Sequence, residues 1–287
     1  VFKTAKVDSL VTCIDIRKHS NIEVLEYVDG KIKFIRSVSK NLLSKPYNLD
    51  IIFSDKVNLL EKIEEKSIKL ETLYKCDNAC ATSDCYKLKD ILEDNPVYNR
   101  DKMYKLVNTG IIDKYNSRWG QKEMKYLKDN YLYPVVIKNN FHRYFPNAYG
   151  KKVDKSKIII KGMTLLDAMI DFEGEYIPGK STMIIEIEDK KMLKFISALI
   201  NSSISIFYIK EKYSSSSYNG GITFNKNMIN ALPIIKSYDK VVEDCVKIVD
   251  KILISEIDIY DGQSKIDNIL FKEFELDESE IKIIKGG

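Results

Sequence analysis

The sequence predicts a mixed α/β protein, in which a β-rich body is followed by a small helical C-terminal region. Three observations carry that expectation. Short alternating or apolar runs bounded by Gly, Pro, Asn and Asp recur from residue 9 to residue 187. From Tyr238 onward the apolar residues recur at helical spacing instead. The chain has 287 residues, 44% hydrophobic and 31% charged, which is the composition of a folded domain with a sizeable core.

Taken in order, "SLVTCIDIRK" and "NIEVLEYVDGKIKFIRSV" read as strands, the second carrying a two-residue hairpin signal at Asp29-Gly30. "SDKVNLLEKIEEKS" reads as a short amphipathic helix with Ser54 as its N-cap. "KMYKLVNTGIIDKY" and "YLYPVVIKNNF" suggest strands around a Trp119-Gly120 loop, with "QKEMKYLKDN" as a charged helical piece between them. "KSKIIIKGM" suits a buried strand, and "EYIPGKSTMIIEIED" continues the β pattern through a Pro178-Gly179 turn. Met192, Leu193, Ile196, Leu199 and Ile200 stand at helical spacing, so a helix ends near Asn201. The helical tail has one clear break, "DGQS". No internal repeat and no long low-complexity segment occurs.

Several function classes find no support. No apolar run reaches the roughly 18 residues of a membrane span, and the N-terminus has no signal-peptide core, so a cytoplasmic protein is expected. A first residue of Val suggests a fragment or a trimmed chain. Five cysteines without a secretory signal are expected to be reduced. Three cluster in "CDNACATSDC", but a zinc site wants four ligands and the two histidines, His19 and His142, lie far away, so they read as buried or loop thiols. No Walker loop, Gly-x-Ser-x-Gly or His-Glu-x-x-His is present. "DNPVY" (Asp94 to Tyr98) comes one residue short of the Asn-Pro-Pro-Tyr motif that grips a flipped adenine. It follows "LKDILE" rather than an apolar strand, and no Gly-rich cofactor loop precedes it, so Asn95 reads as an Asx-Pro turn and no catalytic residue is assigned.

Charge is distributed unevenly. Residues 101–163 hold 14 Lys/Arg against 5 Asp/Glu, whereas 238–285 hold 7 against 13. A basic centre beside an acidic end fits one region facing a polyanion, or a solvated face in a Lys-rich protein. The basic stretch is interleaved with Tyr104, Tyr115, Trp119, Tyr126, Tyr131, Tyr133, Phe141, Tyr144, Phe145 and Tyr149. Each ring taken alone reads as sheet core. "KNNFHRYFPNAYGKKVDKSK" places Lys138, Arg143, Lys151, Lys152, Lys155 and Lys157 around an expected loop suited to phosphate contacts. "YSSSSYNGGITF" (213–224) is a polar apex whose Gly220 and Gly221 permit close backbone approach.

"YKLVNTGIIDKYNSRWG", "KSKIIIKGMTLLDAMIDFEGEYIPGKSTMIIEI", "LKFISALINSSISIFYIKEKYSSSSYNGGITFNKNMINALPI" and "KIDNILFKEFELDESEIKII" occur in that order over most of residues 101–284. Together they resemble the C-terminal specificity half of Taq-type adenine DNA methyltransferases and of fused type IIG restriction-modification enzymes. The opening "VFKTAKVDSLVTCIDIRK" is similar to the last strands of that family's Rossmann-like catalytic domain. The resemblance implies residues 1–50 as the end of a catalytic domain, 51–236 as a DNA target-recognition domain and 237–287 as a helical C-terminal region. It implies a bacterial or archaeal protein whose partner is double-stranded DNA. The S-adenosylmethionine loop and the Asn-Pro-Pro-Tyr motif are absent here, so the cofactor and methyl transfer would belong to a catalytic domain in cis or to a partner chain in trans. A stand-alone specificity subunit is the alternative.

In such a lobe polar side chains read base edges and cations hold phosphates. Lys161, Asn201, Ser202, Ser216, Tyr218, Asn219 and Lys226 are the candidates for close DNA contact, and Arg118, Lys138, Arg143, Lys152 and Lys155 for phosphate contact. Capping and turn work is the competing reading for Asn201 and Asn219. A single-strand or RNA-binding module finds no RNP-like or Gly-x-x-Gly signature.

Overall fold

The computed structural model describes residues 11–13, 19–44, 49–54, 56–213, 217–218, 221–236 and 239–286, of which 49–50 and 217–218 are described in backbone only. The chain divides into two compact units, Val1–Phe53 and Ser54–Gly287. Much of the predicted strand 9–18 lies outside the described residues.

In the first unit Asn21–Val28 and Lys31–Ser39 pair antiparallel with Val28 opposite Lys31. Asp29 (φ 50°) and Gly30 (φ 78°) both adopt the left-handed conformation that a two-residue turn of matching twist demands. A bulge between Val24 and Leu25 bends the ribbon, and the Arg36 guanidinium ties it to the carbonyl of Ile52 at 2.6 Å.

The second unit is mixed α/β. Its central sheet runs in the order Ala168–Asp171, Lys157–Lys161, Thr182–Glu186, Cys76–Asn78, antiparallel throughout. A second four-stranded sheet, in the order Tyr176–Pro178, Met103–Val107, Pro134–Ile137, Glu93–Asp94, has one parallel pair. Ile159, Met169 and Ile184 of the first sheet share one core with Tyr104, Leu106, Val136 and Ile177 of the second. Helix Lys190–Ile200 packs on the central sheet and on helix Asp239–Leu253, which in turn packs on Ile259–Glu273. The run "KIIIK" is therefore covered on both faces, the reason it carries no alternation.

Two asparagines finish the edges of the central sheet in the same way. Asn201, at the end of helix Lys190–Ile200, accepts from the Ala168 N–H (2.9 Å) and donates to the Ala168 carbonyl (3.0 Å). Asn230, at the end of helix Lys226–Asn230, does the same to Cys76 at 2.7 and 3.2 Å. Ala168 and Cys76 begin the two edge strands, and each amide side chain pairs with backbone there; at the Ala168 edge Tyr115 adds a bridge, its N–H donating to the Ala168 carbonyl at 2.8 Å.

A second polar device is fully buried. Lys157 Nζ donates to Asp171 Oδ2 and to the Val153 carbonyl, both at 2.6 Å, and the carboxylate also accepts from the Glu175 and Tyr176 amides. Burial holds the Lys157 ammonium below the usual lysine value, with Asp171 opposing that fall.

Several expectations are corrected. "QKEMKYLKDN" is a hairpin, Met124–Tyr126 against Asp129–Tyr131, because Met124 and Tyr126 alternate into the core with Lys125 outward and Leu127 (φ 54°) makes the turn. "KNNFHRYFPNAYGKKVDKSK" is not a loop but the helices Lys138–Tyr144 and Ala148–Val153, seated by buried Phe141, Phe145 and Tyr149. "DGQS" lies inside helix Ile259–Glu273. A Cβ on Gly262 would stand 2.6 Å from Ile252, so this glycine serves close helix packing rather than a break. Helix Val57–Glu65 begins beyond Ser54, whose Oγ accepts from Lys56 N–H but caps no helical turn. Cys80 and Cys85 are joined in a disulfide, against the expectation of reduced thiols.

Cys245 stays free and buried on helix Asp239–Leu253. Burial, with Asp244 and Asp267 nearby, pushes its thiol from 9.0 up to about 12. The unfolded chain releases this proton near pH 9.0 and the folded chain only near 12, so the contribution is intact below pH 9 and is lost as pH rises toward 12. Cys245→Val should abolish about 1.4 kcal/mol of that loss per pH unit in the window, read from urea midpoints at pH 8 and pH 10. Identical alkaline slopes for the two proteins would contradict it.

Candidate nucleic-acid interface

The basic, aromatic centre divides into an inward and an outward set. Tyr104, Tyr115, Tyr126, Phe141, Phe145 and Tyr149 are buried, as their reading as core required. Their hydroxyls are spent internally: Tyr126 donates to the Cys85 carbonyl and Tyr149 to the Pro178 carbonyl. Of the cations in and around this stretch, Lys105 and Lys114 are drawn inward, and others form three groups.

The first group surrounds Asp77 of strand Cys76–Asn78. Lys152, from helix Ala148–Val153, and Lys226, from the start of helix Lys226–Asn230, approach its two carboxylate oxygens at 3.8 and 3.4 Å. Two predicted contacts far apart in sequence thus share one counter-ion, beside a groove lined by Tyr74, Lys75, Ile184 and Glu186. Lys155 is half exposed and pairs with Glu186 at 2.9 Å.

The second group surrounds Tyr104. Lys138 stands 4.8 Å above its ring, and its hydroxyl bonds both Asp154 and His142 Nε2, the latter at 2.8 Å. Burial and Asp154 push the phenol up, so it stays a donor to the carboxylate. Arg143 is exposed on the same short helix, its guanidinium 5.7 Å from the Tyr144 ring.

The third group is an apex where four segments of sequence meet. Strand Met163–Thr164 pairs with Gly221–Thr223, and that strand pairs with Ser217–Tyr218. The Gly162 N–H donates to the Ser181 carbonyl and its own carbonyl accepts from Phe224 N–H, both at 2.9 Å. A Cβ on Gly162 would lie 2.4 Å from that Ser181 oxygen, so only glycine permits the approach. Thr109 Oγ1 donates to the same oxygen at 3.1 Å. Arg118 donates its N–H to the Ile111 carbonyl and holds Asp113 with an exposed side chain.

Of the predicted residues, Lys155, Arg143 and Arg118 are exposed and Lys152, Lys226 and Lys138 are partly exposed, with Lys152, Lys226, Lys155 and Arg118 each paired with a carboxylate. Lys161 is mostly covered and paired with Asp167. Asn201 and Ser202 are corrected: both are buried, Asn201 holding Ala168 and Ser202 capping helix Ser203–Lys212 through the Ser205 N–H. They have no free polar atom to offer a base. Ser216 and Asn219 lie outside the described residues, and Tyr218 is described only in backbone. Asn95 makes the expected Asx turn, its side chain accepting from the Val97 N–H at 2.9 Å.

Sequence reasoning missed the setting of Lys105. Its Nζ lies 4.3 Å from the Tyr98 ring, 5.1 Å from Trp119 and 5.3 Å from Tyr176. Burial there holds the ammonium below the usual lysine value and pushes the Tyr98 phenol up to about 12. The rings come from three separate segments, so no local pattern announces the cage. Asp77, Lys180 and Leu165 were missed for the same reason.

No family model matches the chain, and no curated protein matches it. Among solved structures the chain is similar to the type IIG restriction endonuclease BpuSI, with a TM-score of 0.45 and 9% identity over 85% of this chain. The alignment covers 36% of that enzyme, so the chain spans about a third of its length.

Proposed function

We propose that this chain is the double-stranded DNA recognition half of a site-specific, S-adenosylmethionine-dependent adenine methyltransferase or fused restriction-modification enzyme. Methyl transfer belongs to a catalytic domain in cis or a partner chain in trans, since this sequence has neither a cofactor loop nor an Asn-Pro-Pro-Tyr motif. The observation that carries the reading is the apex itself. The described end of the polar segment singled out by the resemblance, Gly221–Thr223, pairs with Met163–Thr164 beside the Lys161–Leu165 turn. Backbone cations that position and a polar edge that reads are the two parts a recognition lobe needs.

The first unit supports a catalytic neighbour. A two-stranded ribbon is marginal alone, and this one leaves Tyr27, Ile32 and Phe34 exposed. Such a ribbon is suited to completing a larger sheet.

Duplex binding should fall steeply between about 50 and about 200 mM salt, measured by anisotropy of a labelled mixed-sequence duplex. Lys152→Ala and Lys226→Ala should each lower the salt slope by about one. A flat salt dependence of the unaltered protein would overturn the proposal.

A further inference from the structure

We propose that the Cys80–Cys85 disulfide is a redox-sensitive staple, which a small dithiol opens, and that opening it loosens the segment joining the Asp77 cluster to helix Lys138–Tyr144. The opening stands on the geometry of the bridge alone. Its effect on duplex affinity rests on the DNA-binding reading above.

The bridge ties the entry of helix Thr82–Lys89 to that helix's own first turn, across a sequence separation of 5. Closure entropy grows with loop length, so a bridge this short constrains little of the unfolded chain and acts mainly on the segment it spans. That segment needs it. The N-cap residue is Ala81, whose methyl group accepts no hydrogen bond from the first-turn N–H groups, and the helix is only 8 residues long. The covalent bridge does there what a capping side chain does elsewhere. The rest of the local structure is independent of sulfur: Ala79 N–H donates to the Thr182 carbonyl and Cys85 N–H to the Ala81 carbonyl, both at 3.1 Å, and the Tyr126 hydroxyl donates to the Cys85 carbonyl at 2.9 Å. As a thiol Cys85 stays a small apolar side chain in the core it shares with Leu88 and Phe141. Both redox states therefore fit the fold, and they differ in how firmly residues 81–84 are held.

Access decides the chemistry. Cys80 is partly exposed and Cys85 is 1% exposed, so an incoming thiolate meets the Cys80 sulfur. A bond forms between the two, the Cys80–Cys85 bond breaks, and the Cys85 thiolate takes up a proton. The second thiol of the reductant, losing its proton, then attacks its own partner sulfur and releases Cys80, which is protonated in turn. Two electrons and two protons reach the cysteine pair, and the dithiol leaves as a cyclic disulfide; the reverse exchange closes the staple. The nearest thiol in sequence does not compete. Cys76 is fully buried, and burial with Asp77 beside it holds its proton well beyond the usual thiol range.

The stapled segment stands between two of the cationic groups. Strand Cys76–Asn78 precedes it and carries Asp77, on which Lys152 and Lys226 gather. Helix Thr82–Lys89 follows it and packs on helix Lys138–Tyr144, which carries Lys138 and Arg143. With the bridge closed, the end of the strand and the start of the helix move as one piece. With it open, the two groups lose that rigid connection.

The test uses the full chain, oxidised and after dithiothreitol, at a temperature well below its melt. Thiol titration in denaturant should count three thiols before reduction and five after. Reduction of the folded protein should lower the melting temperature by about 3–6 °C and speed amide exchange over residues 81–85 by about tenfold or more, with reoxidation restoring both. Cys80→Ala/Cys85→Ala should exchange like the reduced protein and ignore dithiothreitol. Duplex affinity should fall about threefold to tenfold on reduction and recover on reoxidation. Five thiols before reduction, a bridge that dithiothreitol opens only in denaturant, or exchange unchanged by reduction overturns the staple. Faster exchange with duplex affinity unchanged overturns its link to the DNA grip and leaves the recognition function standing. No duplex binding in either state sinks the recognition reading, and the exchange rates then decide the staple alone.

Discussion

Asp171→Ala should destabilise the second unit by about 3–5 kcal/mol, because it leaves the Lys157 ammonium charged inside the protein with only two carbonyl partners. The same change orphans the N–H groups of Glu175 and Tyr176, which the carboxylate accepts at 3.0 and 3.1 Å. Lys157→Met should cost less, since the carboxylate keeps both of those donors and the apolar chain fills the stem's volume. Urea midpoints at neutral pH check the order, with an unchanged m value showing that the same surface is exposed on unfolding. A loss below about 1 kcal/mol for Asp171→Ala would show that the ammonium reaches water by another route.

The second large effect is expected at Asn201. Asn201→Ala orphans the Ala168 N–H, while the Ala168 carbonyl keeps the Tyr115 N–H at 2.8 Å; one orphaned buried group costs about 1–3 kcal/mol, so a loss of about that size is expected. Asn201→Asp should be worse than Ala, because it keeps the acceptor for the N–H but sets a carboxylate against the Ala168 carbonyl. Asn230→Ala should mirror the loss at Cys76 on the opposite edge. Duplex affinity of folded Asn201→Ala, measured well below its melting temperature, should match that of the unaltered protein, since the side chain is fully buried. A loss of sequence discrimination without a loss of stability would return Asn201 to the DNA-reading set.

These two devices show how far local pattern reaches. "NSS" at the end of an amphipathic helix reads as well as a base-reading motif as it does as a cap, because Asn and Ser supply the same donors and acceptors to a base edge and to a backbone. What separates the readings is that Ala168, 33 residues earlier, ends up opposite Asn201. Lys157 is similar: "KSKIIIK" reads as a strand flanked by surface lysines, and nothing local marks the middle lysine as buried until Asp171 pairs across the sheet. The hairpin at 124–131 reads as a helix in sequence because charges at close spacing suit an exposed helix, whereas alternation of Met124 and Tyr126 is only three residues long. The Lys138–Val153 segment reads as a loop in sequence because its rings are spaced to meet in a core that is formed by other segments.

By itself the sequence determined what depends on neighbours in the chain. The hairpin at Asp29-Gly30 follows from two residues tolerant of left-handed φ, the buried strand from an unbroken apolar run, and the helix ending at Asn201 from periodicity. It also determined that the centre is basic and the tail acidic, since charge is a sum that folding does not change. Tertiary structure decided which polar groups are spent. Asn201, Ser202 and Lys161 are committed to backbone or carboxylate partners inside the fold, while Lys152 and Lys226 are gathered on Asp77 and stay partly exposed. It alone paired Met163 and Thr164 with Gly221–Thr223. Whether a side chain is satisfied inside or offered outside depends on partners brought close by the path of the chain, and that is a property of three-dimensional distance that one-dimensional spacing does not encode.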